Sequence, residues 1–156
     1  MANVIATYLT SKGSFLKEEI LTSLKSNGVN ATGKLAGSIN YKILESGDNV
    51  SLIIEGEEYW STIDPGQAPK NLTDLSKLRS AIRVWLDYKP FSSNFSKKKK
   101  DSLSFIIAGN INKKGTAQYR GEGRYTRVFS SIFNKDLEEE IKQEIIALKD
   151  SILILK

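Results

Sequence analysis

Residues 39–54 read INYKILESGDNVSLII, and their apolar side chains alternate with polar ones on both sides of a short turn. The alternating apolar residues are Ile39, Tyr41, Ile43, Val50, Leu52 and Ile54. A period of two is typical of a strand with one buried face, and a turn such as SGDN joins two such strands. The sequence therefore predicts an antiparallel hairpin at about residues 38–55.

Four segments around this hairpin carry apolar residues at spacings of three and four, which predicts amphipathic helices. These segments are residues 14–26, 74–88, 101–115 and 136–155. We expect Ser14 to cap the first helix and Pro90 to stop the second. Trp85 is expected in the core, and the third helix is expected to be the most fully buried of the four.

Two connecting stretches have weaker patterns. The polar residues 90–100, PFSSNFSKKKK, are predicted to form a loop. Residues 128–133, VFSSIF, form either a short strand or the entry to the last helix.

These elements together predict an α+β fold. In it, a small antiparallel sheet, the hairpin at about residues 38–55, is packed by three to four helices, and the C-terminal helix is long. A chain of 156 residues with 40% hydrophobic residues is the size of one ordinary domain. We expect a single domain over residues 1–156 with its core at about 14–135. The helix at 136–155 serves for packing or for contacts in an oligomer.

The composition excludes several classes of active site. The chain contains no cysteine and no histidine, so disulfides, the common zinc sites, Ser-His-Asp triads and Cys-His dyads cannot form. Chemistry that uses carboxylates alone remains possible, but Asp64, Asp74 and Asp87 look like a turn residue, a helix-start residue and a surface residue. We therefore expect no catalytic residue, no cofactor and no metal. The N-terminus lacks the pattern of a signal peptide, and no apolar run approaches the ~20 residues of a membrane span.

Basic residues are concentrated in one part of the chain. Residues 89–127 hold ten Lys or Arg against two acids, Asp101 and Glu122. The basic patch that we single out consists of Lys97, Lys98, Lys99, Lys100, Lys113, Lys114, Arg120, Arg124 and Arg127. Such a patch either faces phosphates, with Tyr119 and Tyr125 as stacking candidates, forms a solvated loop, or docks on an acidic protein partner.

A short loop after the hairpin combines aromatic and turn residues. The candidate interface residues there are Tyr59, Trp60, Asp64, Pro65 and Gly66. An aromatic pair beside a Pro-Gly turn is either part of the core or an anchor for a partner protein.

The order of these elements resembles the neck and tail-completion family of tailed bacteriophages, small proteins that join the head connector to the tail. One shared feature is a helix-to-strand junction of the form Thr-Gly-x-Leu-x-x-Ser-Ile, here Thr32, Gly33, Leu35, Ser38 and Ile39. Other shared features are an aromatic-acid-Gly loop, here Tyr59, Asp64 and Gly66, and a helix that carries Trp85. The similarity covers roughly residues 14–135.

The resemblance implies a structural virion protein without catalytic activity. Identical subunits would form a ring, of six or twelve copies, around the axis along which the genomic DNA passes. The ring would contact the neighbouring connector, on the portal side, and the tail proteins, after assembly in the cytoplasm of the bacterial host. Tyr59 and Trp60 would seat their loop on the domain, while Asp64, Pro65 and Gly66 would shape an edge at a subunit or partner boundary.

Two other functions stay open at this point. One is a basic nucleic-acid-binding module that uses the patch at residues 89–127, with an affinity that falls steeply with salt. The other is a carboxylate enzyme. In the structural reading, the basic loops lie on faces that meet an acidic neighbouring ring.

Overall fold

The computed structural model describes residues 2–29, 32–47, 49–122 and 127–154. Within these ranges the chain forms α1 (Ala2–Ser26), α2 (Lys34–Ser38), β1 (Asn40–Ser46), β2 (Asn49–Glu55), α3 (Ser76–Tyr88), α4 (Lys97–Lys114) and α5 (Lys135–Ile154). Short 3-10 helices occur at Glu58–Thr62 and Pro90–Ser92. The fold is α+β with a long C-terminal helix, as the sequence predicts. The last predicted residue of that helix, Leu155, lies outside the described ranges.

The chain divides into two compact units. The hairpin unit comprises Met1–Asn27, Lys34–Glu58 and Arg127–Lys156, and the α3–α4 unit comprises Gly28–Gly33 and Tyr59–Thr126. The hairpin unit holds 10 Lys or Arg and 13 Asp or Glu, whereas the α3–α4 unit holds 13 and 5. The two units therefore carry opposite net charge. The single domain expected over residues 1–156 stays a prediction.

The hairpin forms as the alternating pattern predicts. β1 and β2 pair antiparallel, with Tyr41 opposite Ile54 and Ile43 opposite Leu52. These four side chains are half-buried on one face of the sheet, while the intervening residues point to the other face. The alternation in the sequence therefore fixes the register, because a slip of one residue would turn the apolar side chains to solvent.

The first helix begins much earlier than predicted. α1 runs from Ala2, so Ser14 lies within the helix and does not cap it. Glycine is a poor helix residue, but Gly13 lies within α1 on the same buried face as Leu9, Leu16 and Ile20. A β-carbon at position 13 would stand 2.6 Å from Cδ2 of Tyr41. Glycine is thus required for the close approach of α1 to the hairpin.

A short helix leads into the hairpin. α2 buries Leu35, and Ile39, the first residue after this helix, is also buried. Ser38 Oγ donates to the carbonyl of Leu35 at 2.7 Å and accepts from the backbone N–H of Glu57 at 3.0 Å. The Leu-x-x-Ser-Ile part of the junction motif therefore anchors the start of β1 in the hairpin unit.

The C-terminal helix matches its prediction closely. Lys142 pairs with Glu138, one helical turn away, at 2.9 Å. The apolar stripe is half-buried at Leu137, Ile141, Ile145 and Leu148. The preceding residues 128–133 form turns and not a strand, and Val128 is fully buried among them.

In the α3–α4 unit, the two long helices pack against each other around Ile82, Leu86 and Ala108. Pro90 follows α3 and starts a 3-10 helix, which confirms that it stops the helix. The expectation for Trp85 was wrong, since its side chain is 37% exposed. Because Ile82 and Leu86 are four residues apart, the core stripe follows the i, i+4 spacing, and Trp85 points to one side of it.

The region around the lysine run also differs from its prediction. Lys97–Lys100 are not in a loop: they form the first turn of α4, with Ser96 as the N-cap accepting from the backbone N–H of Lys99 at 3.2 Å. A loop was expected because this stretch is polar, but polar residues also form the solvent-facing first turn of a helix, even though lysines there oppose the helix dipole. The prediction that this helix is the most fully buried was also wrong. Phe105 is 59% exposed and Ile106 is 57% exposed.

Candidate interaction surfaces

The predicted interface loop is exposed at some of its residues and half-buried at others. Tyr59, in the 3-10 helix Glu58–Thr62, is 43% exposed, and Trp60 beside it is half-buried. Pro65 is exposed and Asp64 is half-buried. This aromatic pair is therefore not part of a fully buried core.

Gly66 holds the loop close to the end of α4. Its φ of +77° suits glycine, and a β-carbon there would stand 2.5 Å from Oγ1 of Thr116. The backbone N–H of Gln67 donates to Thr116 Oγ1 at 3.0 Å, and the N–H of Thr116 donates to the carbonyl of Gln67 at 2.9 Å. Gly66 thus allows a close contact within the α3–α4 unit.

Asn112 fixes the next part of the same loop. The side chain of this buried residue in α4 accepts from the N–H of Leu72 at 2.7 Å and donates to its carbonyl at 3.0 Å. Its backbone carbonyl accepts from the N–H groups of Lys70 and Asn71. Residues 67–72 are therefore held by backbone and side-chain hydrogen bonds to Asn112 in α4 and to Thr116 just after it, and Pro65 lies shortly before this hydrogen-bonded segment.

The residues of the predicted basic patch lie in several parts of the chain. Lys97–Lys100 and the pair Lys113–Lys114 occupy opposite ends of α4, roughly 24 Å apart at 1.5 Å per residue. Arg120 pairs with Glu122 at 2.7 Å. Arg127 belongs to the hairpin unit, while Arg124 and the stacking candidate Tyr125 lie outside the described residues. Tyr119 is exposed.

The four lysines at the start of α4 have different surroundings. Lys100 pairs with Asp87 at 2.7 Å, and Arg83 pairs with both Asp87 and Asp101 at 2.7 Å. The hydrogen bond from Lys100, followed by that from Arg83, lowers the pKa of Asp87 below its ordinary value. Lys99 lies over the ring of Phe95, 3.8 Å from its centroid.

The other two lysines line a shallow groove of about 720 Å³, which we call the basic groove. Its charged and large apolar residues are Arg79, Lys97, Lys98, Asp101, Phe105 and Ile106. Arg79 lies over the ring of Phe105 at 5.1 Å. Within the part of the chain that the structure describes, Arg79, Lys97 and Lys98 make no ion pair.

Sequence reasoning missed a row of aromatic rings in the α3–α4 unit. Trp85, Phe91 and Phe95 follow one another with centroid separations of 5.8 and 6.2 Å. Lys89 lies over Trp85 at 5.3 Å, as Lys99 does over Phe95. Both lysines follow their ring by four residues, and this i, i+4 repeat of aromatic and lysine was the signal available in the sequence.

The hairpin unit has a groove of similar size and opposite charge, which we call the acidic groove. Its volume is about 740 Å³. Its charged and large apolar residues include Lys12, Phe15, Glu18, Glu19, Asp136 and Glu140. Lys12 pairs with Glu140 and lies over the Phe15 ring at 5.9 Å. Glu18, Glu19 and Asp136 make no ion pair among the described residues.

Polar contacts join α1 and α5 in the same unit. The hydroxyl of Tyr8 donates to Glu144, and Lys12 pairs with Glu140. Burial, followed by the hydrogen bond to Glu144, raises the pKa of Tyr8 above its ordinary value. Between α1, β2 and α5 lies an apolar groove of about 510 Å³ that is lined by Leu9, Leu52 and Ile141, among others. The α5 stripe is thus only partly covered within its own unit.

The residues in the described ranges form no cluster of three acidic side chains suited to a metal ion. None of the helices in those ranges combines the length and the apolar character that a membrane span requires. Comparisons with family models, with curated proteins and with solved structures find no match to this chain.

Proposed function

We propose that this chain is a structural virion protein of a tailed phage, the ring-forming subunit at the head-to-tail junction, and that it performs no catalysis. Its partners would be further copies of itself, the connector on the portal side and the tail proteins. Genomic DNA would pass through the lumen of the ring. In this proposal the protein acts by presenting surfaces to other proteins.

The observation that carries the proposal is the exposure of large apolar side chains next to cations in the α3–α4 unit. Phe91, Phe105, Ile106 and Tyr88 are all more than half exposed. Clusters of exposed apolar residues with polar surroundings mark surfaces for protein contact, and aromatic residues with arginine are enriched at the energetic centres of such contacts. These side chains are available to a partner without rearrangement of the core.

The loop at residues 59–66 supports the same reading. Tyr59 and Pro65 are exposed, whereas the segment that follows is hydrogen-bonded to Asn112 in α4 and to Thr116 just after this helix. A segment whose backbone is already held by hydrogen bonds loses little conformational entropy when a partner binds beside it. We therefore keep Tyr59, Trp60, Asp64, Pro65 and Gly66 as the proposed boundary with a neighbouring protein.

The alternative function is a nucleic-acid-binding module. The unpaired Lys97 and Lys98 and the exposed Tyr119 favour it. Stacking of bases, however, requires free ring faces, and lysines lie over one face of Trp85 and one face of Phe95. In addition, the lysines of α4 are divided between its two ends and do not form one cluster. These features favour a protein partner over a nucleic acid.

Electron microscopy of the concentrated protein tests the proposal. We expect closed rings with a central opening wide enough for duplex DNA. A filament without closure, or particles of single-chain size at every concentration, would contradict the ring. A count of subunits in the class averages decides between six and twelve copies.

A further inference from the structure

The basic groove presents apolar side chains and cations that no described group of its own unit covers. Phe105 and Ile106 are more than half exposed in it, and Arg79, Lys97 and Lys98 have no carboxylate partner among the described residues. Asp101, the acid in the groove, already pairs with Arg83. An occupant of this groove therefore needs apolar surface for the two exposed side chains and carboxylates for the three cations.

The acidic groove presents an apolar ring and charges of the opposite sign. Phe15 is 55% exposed, and Glu18, Glu19 and Asp136 have no basic partner within the described ranges. Lys12, the cation in the groove, already pairs with Glu140. An occupant here needs apolar surface for Phe15 and cations for three carboxylates.

We propose that these two grooves bind each other between copies, so that the acidic groove of one subunit docks on the basic groove of the next. Each brings an exposed phenylalanine and three unpaired charges, and the charges have opposite sign. Complementary charge of this kind steers the encounter and fixes the orientation of two proteins, while the buried rings supply apolar contact.

The arrangement requires a head-to-tail contact. Two basic grooves facing each other would place six unpaired cations together, and two acidic grooves would do the same with carboxylates; like charges at an interface are strongly unfavourable. A contact between two different surfaces leaves one free groove at each end of any chain of subunits. Repetition of this contact therefore gives a ring if the rotation from one subunit to the next leads back to the first subunit, and an open filament if it does not. This inference rests on the ring-forming part of the proposed function and assigns its subunit contact.

Charge reversal of each groove tests the contact in the full-length chain. The basic-groove variant is K97E/K98E and the acidic-groove variant is E18K/E19K. Sedimentation velocity at low salt should show that each variant alone self-associates about tenfold more weakly or worse, since like charges then face each other. An equimolar mixture of the two should recover association, because every contact between unlike variants again joins opposite charges.

Matched controls separate groove charge from net charge. K113E/K114E makes the same change at the other end of α4, and E138K/E139K makes it on α5 outside the acidic groove. Both controls should associate like the unaltered chain. Far-UV circular dichroism of each variant checks that its helices form.

A cross-linking measurement gives an independent result. Because the chain contains no cysteine, E18C and K98C each introduce one thiol. A short bismaleimide should join E18C chains to K98C chains and give much less product within either variant alone. Equal yields in all three mixtures would overturn the proposed contact.

The assembly state of the unaltered chain and of the groove variants distinguishes a failure of this inference from a failure of the proposed function. If the unaltered protein forms rings and both groove variants form them equally well, the assigned contact is wrong and the ring remains. If head-to-tail association depends on both grooves but only filaments form, the contact is right and the closed ring is wrong. If the unaltered chain stays at single-chain mass under all conditions, the contact between copies is overturned.

Discussion

Gly13 in α1 lies so close to Tyr41 in β1 that a β-carbon at position 13 would stand 2.6 Å from Cδ2 of the ring. It would also stand 2.8 Å from Cδ1 of Leu52. The contact sets how closely the first helix approaches the hairpin. It also explains why a residue that disfavours helices is found in the middle of a 25-residue helix.

We expect Gly13→Ala to destabilise the protein by about 1–2 kcal/mol. Alanine gains roughly 0.5–1 kcal/mol over glycine in a helix interior, but overpacking a filled contact costs about 1–3 kcal/mol. Urea denaturation measures the net effect. The control is Gly109→Ala in α4, where a β-carbon meets no atom within 4 Å, so the helix preference alone should stabilise. A more stable Gly13→Ala variant would contradict the close contact.

Asn112→Ala should cost about 1–3 kcal/mol of unfolding free energy, because it removes both side-chain hydrogen bonds to the backbone of Leu72. The same variant should increase the amide hydrogen exchange of Leu72, whose N–H donates to the Asn112 side chain. Asn110→Ala, at an exposed position of the same helix, is the matched control and should change stability by less than about 0.5 kcal/mol. Unchanged exchange at Leu72 would show that Asn112 does not hold the loop.

Tyr8 should keep its proton to a higher pH than an ordinary phenol, whose pKa is about 10. Burial and the bond to Glu144 raise its pKa in the folded state. The stability that this pair contributes is therefore fully present below pH ~10 and is lost as the pH rises above that value. Tyrosinate absorbance during an alkaline titration measures this.

Tyr8→Phe should remove the part of the tyrosinate absorbance that appears at the highest pH. Tyr88→Phe should leave that part unchanged. If both variants remove absorbance over the same pH range, the contact between α1 and α5 does not protect Tyr8. The comparison therefore tests the docking of α5 within its own unit.

The carboxyl of Asp87 should titrate below its ordinary range, since Lys100 and Arg83 donate to it. A depressed pKa in the folded state means that the pair stabilises above the unfolded pKa of about 4 and loses this contribution as the pH falls. Lys100→Gln should raise the pKa of Asp87, as measured by carboxyl NMR titration. Lys99→Gln, one residue away and over Phe95, should not. An Asp87 pKa that is the same in Lys100→Gln as in the unaltered protein would exclude the ion pair.

Periodic patterns in the sequence predicted the hairpin and the C-terminal helix because each pattern matches one local geometry. The residue opposite Tyr41 follows from alternation and a short turn alone. The start of α1 was missed because Ser14 is a residue type favoured at N-caps, while the place of Gly13 inside the helix depends on Tyr41 and Leu52, which lie far along the chain. Local preference was overridden there by a tertiary contact.

The candidate surfaces were less accessible to sequence reasoning. The run of lysines was visible in the sequence, but the different surroundings of its members were not. Lys100 pairs with Asp87, Lys99 lies over the ring of Phe95, and Lys97 and Lys98 make no ion pair among the described residues. This division depends on the packing of α3 against α4. The acidic groove was not predicted at all, because Glu18 and Glu19 in α1 and Asp136 in α5 are more than a hundred residues apart and meet only in the fold. Charges distributed over separate helices give no run in the sequence.

The mass of the purified protein in solution, measured by light scattering at low and high salt with and without duplex DNA, tests the central claim most directly. At low salt we predict a mass of several 17.4 kDa chains. This mass should fall at high salt, because screening weakens the contact between the grooves. Addition of duplex DNA should not change the mass. A single-chain mass at both salt concentrations that increases only with DNA at low salt would contradict assembly and favour the nucleic-acid-binding alternative.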